Sequence, residues 1–340
     1  MKKYLISFFI ITIILTGCSN SSDKNNNTNN KSYVKVHSSY DIRGEHKDGK
    51  DAVHKDEILK ITKNPKNVVT FDYGAADTIK VLGKSSSIKG IAKGKGSKSL
   101  PKELSEFKDN KYKNVGTLGE PDYDSIAKIK PDLIIFSART ANKKVLDELK
   151  KASPDSQLLY IGTDNKKTIE SIKKNTNDLG KIFNNESKAK EYITKLDKVV
   201  SDTKRETKNL SKNAMLLLIS EGELSTYGPK DRFGGLIFGE LGIKPADNNI
   251  KSGPHGKPVS FEYVSEKNPD IIFSMDRDKA ITGIGNSKRI LSNDVIKEIN
   301  AVKNSNIEEL DPREWYFSTN GINSSIKQVN EIKEAIKRIK

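Results

Sequence analysis

The sequence predicts an α/β protein of two lobes, each with a parallel-type sheet covered by helices, the two bridged by a single long helix. Three observations lead there. Glu186 to Leu210 runs without Gly or Pro, and Ala189, Tyr192, Ile193, Leu196, Val199 and Val200 recur at three- and four-residue steps, which makes one apolar helix face. The pattern Tyr123-Asp124-x-Ile126 leading to Pro131-Asp132-Leu133-Ile134 returns as Phe261-Glu262-x-Val264 leading to Pro269-Asp270-Ile271-Ile272, at a constant offset of 138 positions that also carries Arg139 onto Arg277. On both sides of the helix, short apolar runs of strand length alternate with helical stretches, as in parallel sheets covered on both faces. The chain divides accordingly into a signal peptide (1–17), a cysteine-led tether and extension (18–55), an N-terminal lobe (56–183), the linking helix (184–210) and a C-terminal lobe (211–340).

Two lysines, an apolar run from Tyr4 to Leu15 broken only by Ser7 and Thr12, and then Leu15-Thr16-Gly17-Cys18 read as a secretory signal, since the apolar part is too short to span a bilayer. The small residues ahead of Cys18 resemble the lipobox of bacterial lipoproteins, which makes Cys18 the lipidated first residue of a chain held on the outer face of the cell membrane. Cys18 is the sole cysteine of the 340 residues, so no internal disulfide competes for it. Ser19 to Ser32 is polar and lacks the apolar side chains that would order it, so it is a flexible spacer. The formal net charge of +15 would suggest nucleic acid in a cytoplasmic protein. Export argues against that, leaving a lysine-rich solvated surface or a field that draws in an anion.

In order, Tyr33 to Val36, Ile58 to Ile61 and Val68 to Asp72 read as strands, with Asn64-Pro65-Lys66-Asn67 a turn. Gly74 to Leu82 is a short helix and Ile88 to Ile91 a strand. Gly90 to Ser99 looks like a phosphate loop but lacks the Walker A spacing, leaving a mobile basic loop with Lys95 and Lys98 as candidate ligand contacts. Tyr123 to Ile129 (helix), Asp132 to Phe136 (strand), Lys143 to Lys150 (helix), Gln157 to Ile161 (strand) and Thr168 to Phe183 (helix) complete the first lobe. After the linking helix come Ala214 to Ser220, Leu224 to Tyr227, a helix over Gly234 to Leu241, then Tyr263 to Lys267, Asp270 to Met275, Asp294 to Ile299, Ile307 to Leu310 and a closing helix over Ser324 to Ile339. A ligand belongs where the carboxyl ends of the two lobes' strands face each other.

Arg139 and Arg277 follow buried strands by two or three residues, and Arg232 sits in the loop Tyr227-Gly228-Pro229-Lys230-Asp231-Arg232-Phe233-Gly234. One such arginine is a surface charge; three at similar loop positions suit an anion, because guanidinium is planar and permanently charged. His37, His46 and His54 fall in the polar amino-terminal segment. His255, in Gly253-Pro254-His255-Gly256, is held in a tight loop, though on sequence alone it reads as a surface histidine. Trp315 and Tyr316 belong to Asp311-Pro312-Arg313-Glu314-Trp315-Tyr316-Phe317, an aromatic group of core or pocket-wall type. Catalysis finds little support: there is no G-x-S-x-G, no His-Glu-x-x-His and no free cysteine nucleophile, so the chain reads as a non-enzyme without a resident cofactor.

Taken together, the lipobox, the duplicated lobe motif, the linking helix, Gly228-Pro229-x-x-Arg232-Phe233-Gly234, Gly253-Pro254-His255-Gly256 and Asp311-Pro312-x-x-Trp315-Tyr316 resemble the siderophore-binding lipoproteins of iron-uptake ABC transporters. The resemblance is to the branch that takes catecholates, petrobactin and related bis-catecholates, with catecholamine-bound iron a further candidate. It implies a monomeric receptor in which Arg139, Arg232 and Arg277 face an anionic ferric complex beside Trp315. His255 and Tyr316 would coordinate ferric iron directly when a tetradentate chelate leaves positions open. Asp124 and Glu262 would dock on arginines of the permease. A receptor for another iron chelate (a hydroxamate or haem) or for a cobalamin is the alternative.

Overall fold

The computed structural model describes residues 32–44, 51–253 and 255–339. The signal segment, Cys18, the spacer to Lys31 and His46 lie outside the described residues. No helix among the described residues is long and apolar enough to cross a membrane.

The chain opens with β1 (Tyr33–Ile42) and β2 (Val53–Thr62), an antiparallel hairpin in which Tyr33 faces Thr62 and Ile42 faces Val53. It continues through β3 (Val68–Thr70), α1 (Tyr73–Val81), β4 (Ile88–Ile91), β5 (Lys113–Asn114), α2 (Tyr123–Ile129), β6 (Leu133–Phe136), α3 (Lys143–Ala152), β7 (Gln157–Tyr160) and α4 (Thr168–Ile182). The linking helix α5 (Glu186–Lys208) leads to β8 (Asn213–Ser220), β9 (Glu223–Thr226), a π-wound turn at Gly235–Glu240, β10 (Lys244–Pro245), β11 (Lys257–Val259) and α6 (Phe261–Lys267). Last come β12 (Ile271–Asp276), α7 (Arg277–Thr282), α8 (Ser287–Ile290), α9 (Asn300–Lys303), β13 (Ile307–Glu309), α10 (Pro312–Phe317) and α11 (Ile322–Ile339).

The first sheet is parallel throughout, in the order β5-β4-β3-β6-β7. The chain reverses its direction of winding between β3 and β6, which opens a crevice at their carboxyl ends. The second sheet departs from the expected parallel type. Its order is β11-β9-β8-β12-β13, with β10 beside β8, and β9 runs antiparallel to both β8 and β11. The reason is local: Glu221 and Gly222 have φ of 55° and 86°, a two-residue turn that sends β9 straight back along β8. Both faces of the second sheet are buried. Leu216 and Leu218 join one core and Met215, Leu217 and Ile219 the other, so strand alternation is hidden under a continuous apolar run.

The internal duplication is carried into three dimensions. Helices α2 and α6 start after Asp122 and Ser260, whose side chains accept from the N–H of Ser125 and Tyr263, and both end at a left-handed residue, Lys130 and Asn268. Each of these pairs is again 138 positions apart.

Two features tie the parts together beyond the linking helix. The hairpin, which spans the division drawn at 55/56, buries Val34, Val36, Tyr40 and Ile61 in the core of the first sheet. Helix α11, packed along α5, begins against the first lobe. The N–H groups of Asn323 and Ser324 donate to Asp77 Oδ2 at 2.9 and 3.0 Å, and that of Ile322 donates to Thr78 Oγ1 at 3.2 Å. The orphan donors of α11 are thus satisfied by α1. The helices approach so closely that a Cβ on Gly74 would lie 2.3 Å from the Gly321 nitrogen.

Candidate functional site

A cleft of about 650 Å³ lies between the lobes, lined on one side by the turns after β3, β6 and β7 and on the other by the Arg232 loop, the His255 loop and α10. Its floor is Tyr316, which is only 6% exposed. Asp311 starts α10 by accepting from the N–H of Arg313 and Glu314, and Pro312 presets the first turn. That fixes where Tyr316 stands.

Three guanidiniums gather on this one residue. Arg139 Nη2 and Arg232 Nη2 both donate to the Tyr316 carbonyl, at 2.7 and 2.8 Å, and Arg277 Nε donates to its hydroxyl at 3.0 Å. The guanidinium carbons lie 4.6 Å (Arg139), 5.2 Å (Arg232) and 5.8 Å (Arg277) from the Tyr316 ring centre. Burial works to raise the Tyr316 phenol, but the charge of Arg139 and then the bond and charge of Arg277 outweigh it, and the net shift is downward. Most of the other tyrosines move the opposite way; burial pushes Tyr40, Tyr73, Tyr160 and Tyr227 up to about 12. Burial and the charge of Arg139 push Arg232 down to about 10, which leaves it cationic at neutral pH.

Each arginine is aimed by its loop. Arg139 sits in the turn after β6, closed by Thr140 N–H to Ser137 O and by Thr140 Oγ1 to Leu118 O. The Arg232 loop is held by Asp231, whose Oδ2 accepts from Gly228 N, Ser252 N and Ser252 Oγ. Phe233 takes a left-handed φ of 63°, and a Cβ on Gly234 would stand 2.2 Å from the Gly228 carbonyl. The glycine there is a packing requirement and the Phe233 backbone is strained, as at many binding loops. Arg277 opens α7, where a cation opposes the helix dipole. It is anchored by Ser220 Oγ at 2.8 Å and does not itself line the cleft, reaching it through Tyr316.

His255 is exposed and lines the cleft, in a turn closed by Gly256 N–H to Gly253 O. Among the described residues no group of three or more His, Cys, Asp or Glu is placed to hold a metal ion. Trp315 is placed otherwise than expected: it is 1% exposed, its Nε1 donates to Glu331 Oε2 at 2.7 Å, and it does not line the cleft. Consecutive residues of a helix point about 100° apart, so Tyr316 on the cleft turns Trp315 into the core. Lys95 and Lys98 are exposed in the turn after β4 and do not line the cleft either. The base of that turn is stitched by Tyr73 Oη to Ala92 O and by Gly94 N–H to Gly116 O. Asp124 and Glu262 are exposed in the first turns of α2 and α6.

Asp72 and Arg43 are among the cleft residues that the sequence did not single out. Asp72 caps α1, is bonded by Asn320 Nδ2 at 3.0 Å, and is pushed upward chiefly by burial. Arg43, at the end of β1, also lines the cleft. Its one sequence signal is the alternation of Val34, Val36 and Tyr40 that brings β1 onto the first lobe.

The chain matches the family model described as periplasmic binding protein over residues 68–314. It is 36% identical to the petrobactin-binding protein YclQ of Bacillus subtilis, over 99% of this chain and 100% of that one. The crystal structure of YclQ superposes with a TM-score of 0.77 at 38% identity, covering 88% of this chain and 99% of that one. The iron uptake ABC transporter substrate-binding protein PiuA of Streptococcus pneumoniae follows at 0.74 and 34%, covering 87% and 98% of the two chains. The periplasmic catecholate-siderophore binding protein VctP of Vibrio cholerae gives 0.74 and 28%, covering 87% and 99%.

Proposed function

The chain belongs to the periplasmic binding protein family, and on that premise we propose that it is a surface receptor that captures a ferric catecholate siderophore and hands it to an ABC permease for iron import. The observation that carries the reading is the convergence of Arg139, Arg232 and Arg277 on Tyr316 at the cleft. A ferric tris-catecholate carries a charge of about −3, which guanidiniums in a partly desolvated cleft offset through charge-assisted hydrogen bonds. Ferric iron is a hard acid that favours phenolate oxygen, and the arginines that lower Tyr316 make that phenolate accessible. The names of YclQ and VctP, with petrobactin and catecholate siderophores as ligands, support the same ligand class.

In this reading Cys18 carries the lipid anchor outside the cell, and Asp124 and Glu262 present matching acids on the two halves of the duplication to the permease. The protein binds and releases without turning its ligand over. His255 and Tyr316 serve as iron ligands only where the chelate leaves positions open: a tris-catecholate fills all six, a bis-catecholate four. The test is a titration of wild type and the His255→Ala/Tyr316→Phe double variant with a hexadentate and a tetradentate ferric catecholate, alongside ferric hydroxamate and ferric citrate. The double variant should lose well over tenfold, more than about 1.4 kcal/mol, on the tetradentate complex and much less on the hexadentate one. Equal losses would remove the coordinating role, and preference for the hydroxamate would overturn the catecholate reading.

A further inference from the structure

Arg43 belongs to a part of the molecule that the family model leaves out, since the match begins at residue 68 and the hairpin ends at Thr62. We infer that the hairpin is a working wall of the cleft and that Arg43 is a further anion-contacting arginine beside Arg139 and Arg232, gripping the bound complex from the first-lobe side. The inference rests on the proposed function and adds to it a binding residue on a separate element.

The backbone at the end of β1 is fixed without help from the Arg43 side chain. Arg43 N–H donates to Ala141 O and Lys143 N–H to Arg43 O, both at 2.9 Å, and Asn142 Nδ2 donates to Gly44 O at 3.0 Å. Just upstream, Tyr40 stacks on Tyr160 at 4.3 Å between ring centres with 8° between planes, and Tyr160 itself lines the cleft. The segment that receives these bonds, 141–143, directly follows the Arg139 turn. The exposed Arg43 side chain then donates from Nη2 to the Arg139 carbonyl at 2.7 Å.

Two arginines that both line the cleft are thereby joined through one turn. An anion entering the cleft meets the positive charge of both residues, which attracts it. A side chain needed only to pin the hairpin would gain nothing from a position on the cleft wall. Arginine suits the task because its fork keeps further N–H groups for a second acceptor while one serves the Arg139 carbonyl.

The probe is ferric tris(catecholate), prepared with catechol in excess and titrated into the purified protein at several ionic strengths. Arg43→Gln should weaken binding about tenfold, flatten its salt dependence and leave the melting temperature unchanged, while Arg43→Lys should recover part of the loss and the full salt slope. Wild-type affinity in Arg43→Gln would overturn the inference and leave the proposed function standing. A loss accompanied by a lowered melting temperature and an unaltered salt slope would also overturn it, by making Arg43 a structural pin. Failure of the wild-type protein to bind the probe at all would overturn both.

Discussion

Tyr316 should be the first tyrosine of this protein to ionise as pH rises, and Arg277→Gln should delay it. Each guanidinium stands about 5 Å from the ring, and at an effective dielectric constant of about 20 a unit charge at that distance stabilises the phenolate by about 3 kcal/mol. Arg277 has 32% of its side chain exposed, so solvent screens part of that, and roughly half is retained in the expectation. Losing it makes phenolate formation about tenfold harder at any pH. The assay is ultraviolet difference absorbance against pH, wild type minus Tyr316→Phe, which isolates one phenol from the eleven tyrosines. The wild-type difference signal should rise before the bulk of the tyrosine signal, and in Arg277→Gln it should move up toward the bulk. The sign for stability follows: the folded pKa is depressed, so this phenolate stabilises the fold above the unfolded value near 10, and that contribution disappears as pH falls through the folded value. A Tyr316 signal that merges with the buried tyrosines in wild type, or that ignores Arg277→Gln, would refute the claim that these charges outweigh burial.

Asp77→Ala removes the acceptor for the first N–H groups of α11 and should cost about 2–4 kcal/mol, read by denaturant unfolding; a loss below about 0.5 kcal/mol would mean the lobes are not tied there. Glu314, pushed up to about 9 by burial and then by its contact with Glu103, keeps a proton that the unfolded chain releases near 4.5, so wild-type stability should fall as pH rises from about 4.5 to about 9. Glu314→Gln should match wild type near pH 5 and exceed it increasingly toward pH 9; parallel melting curves across that window would show the proton is not held. Glu103, lowered to about 2 by the neighbouring Glu314 carboxyl and by Lys327, contributes the opposite slope, lost as pH drops below about 4.5. Asp124→Ala with Glu262→Ala should leave chelate affinity intact and abolish iron uptake in cells, and normal uptake would end the docking assignment.

What the amino-acid sequence determined by itself is whatever a few neighbouring residues settle. Helix α2 is legible at Tyr123–Ile129, whereas α6 begins at Phe261, two residues ahead of the expected Tyr263, where Ser260 caps it. The linking helix declared itself by periodicity, and the loops of Arg139, Arg232 and His255 by the strands and glycines around them. Tertiary structure alone decided the rest. A six-residue helix such as α10 does not announce which face meets a cleft; packing against Glu331 turned Trp315 inward and left Tyr316 as the floor. The antiparallel return of β9 depends on two turn residues with positive φ, neither of them in a signature Asn-Gly pair. Asp77 finds α11 across 247 positions, and Arg43 finds Arg139 across 96, so neither partnership leaves a trace in local pattern. Such contacts follow from which surfaces are left to bury once the two sheets have formed, and that is a property of the packed whole.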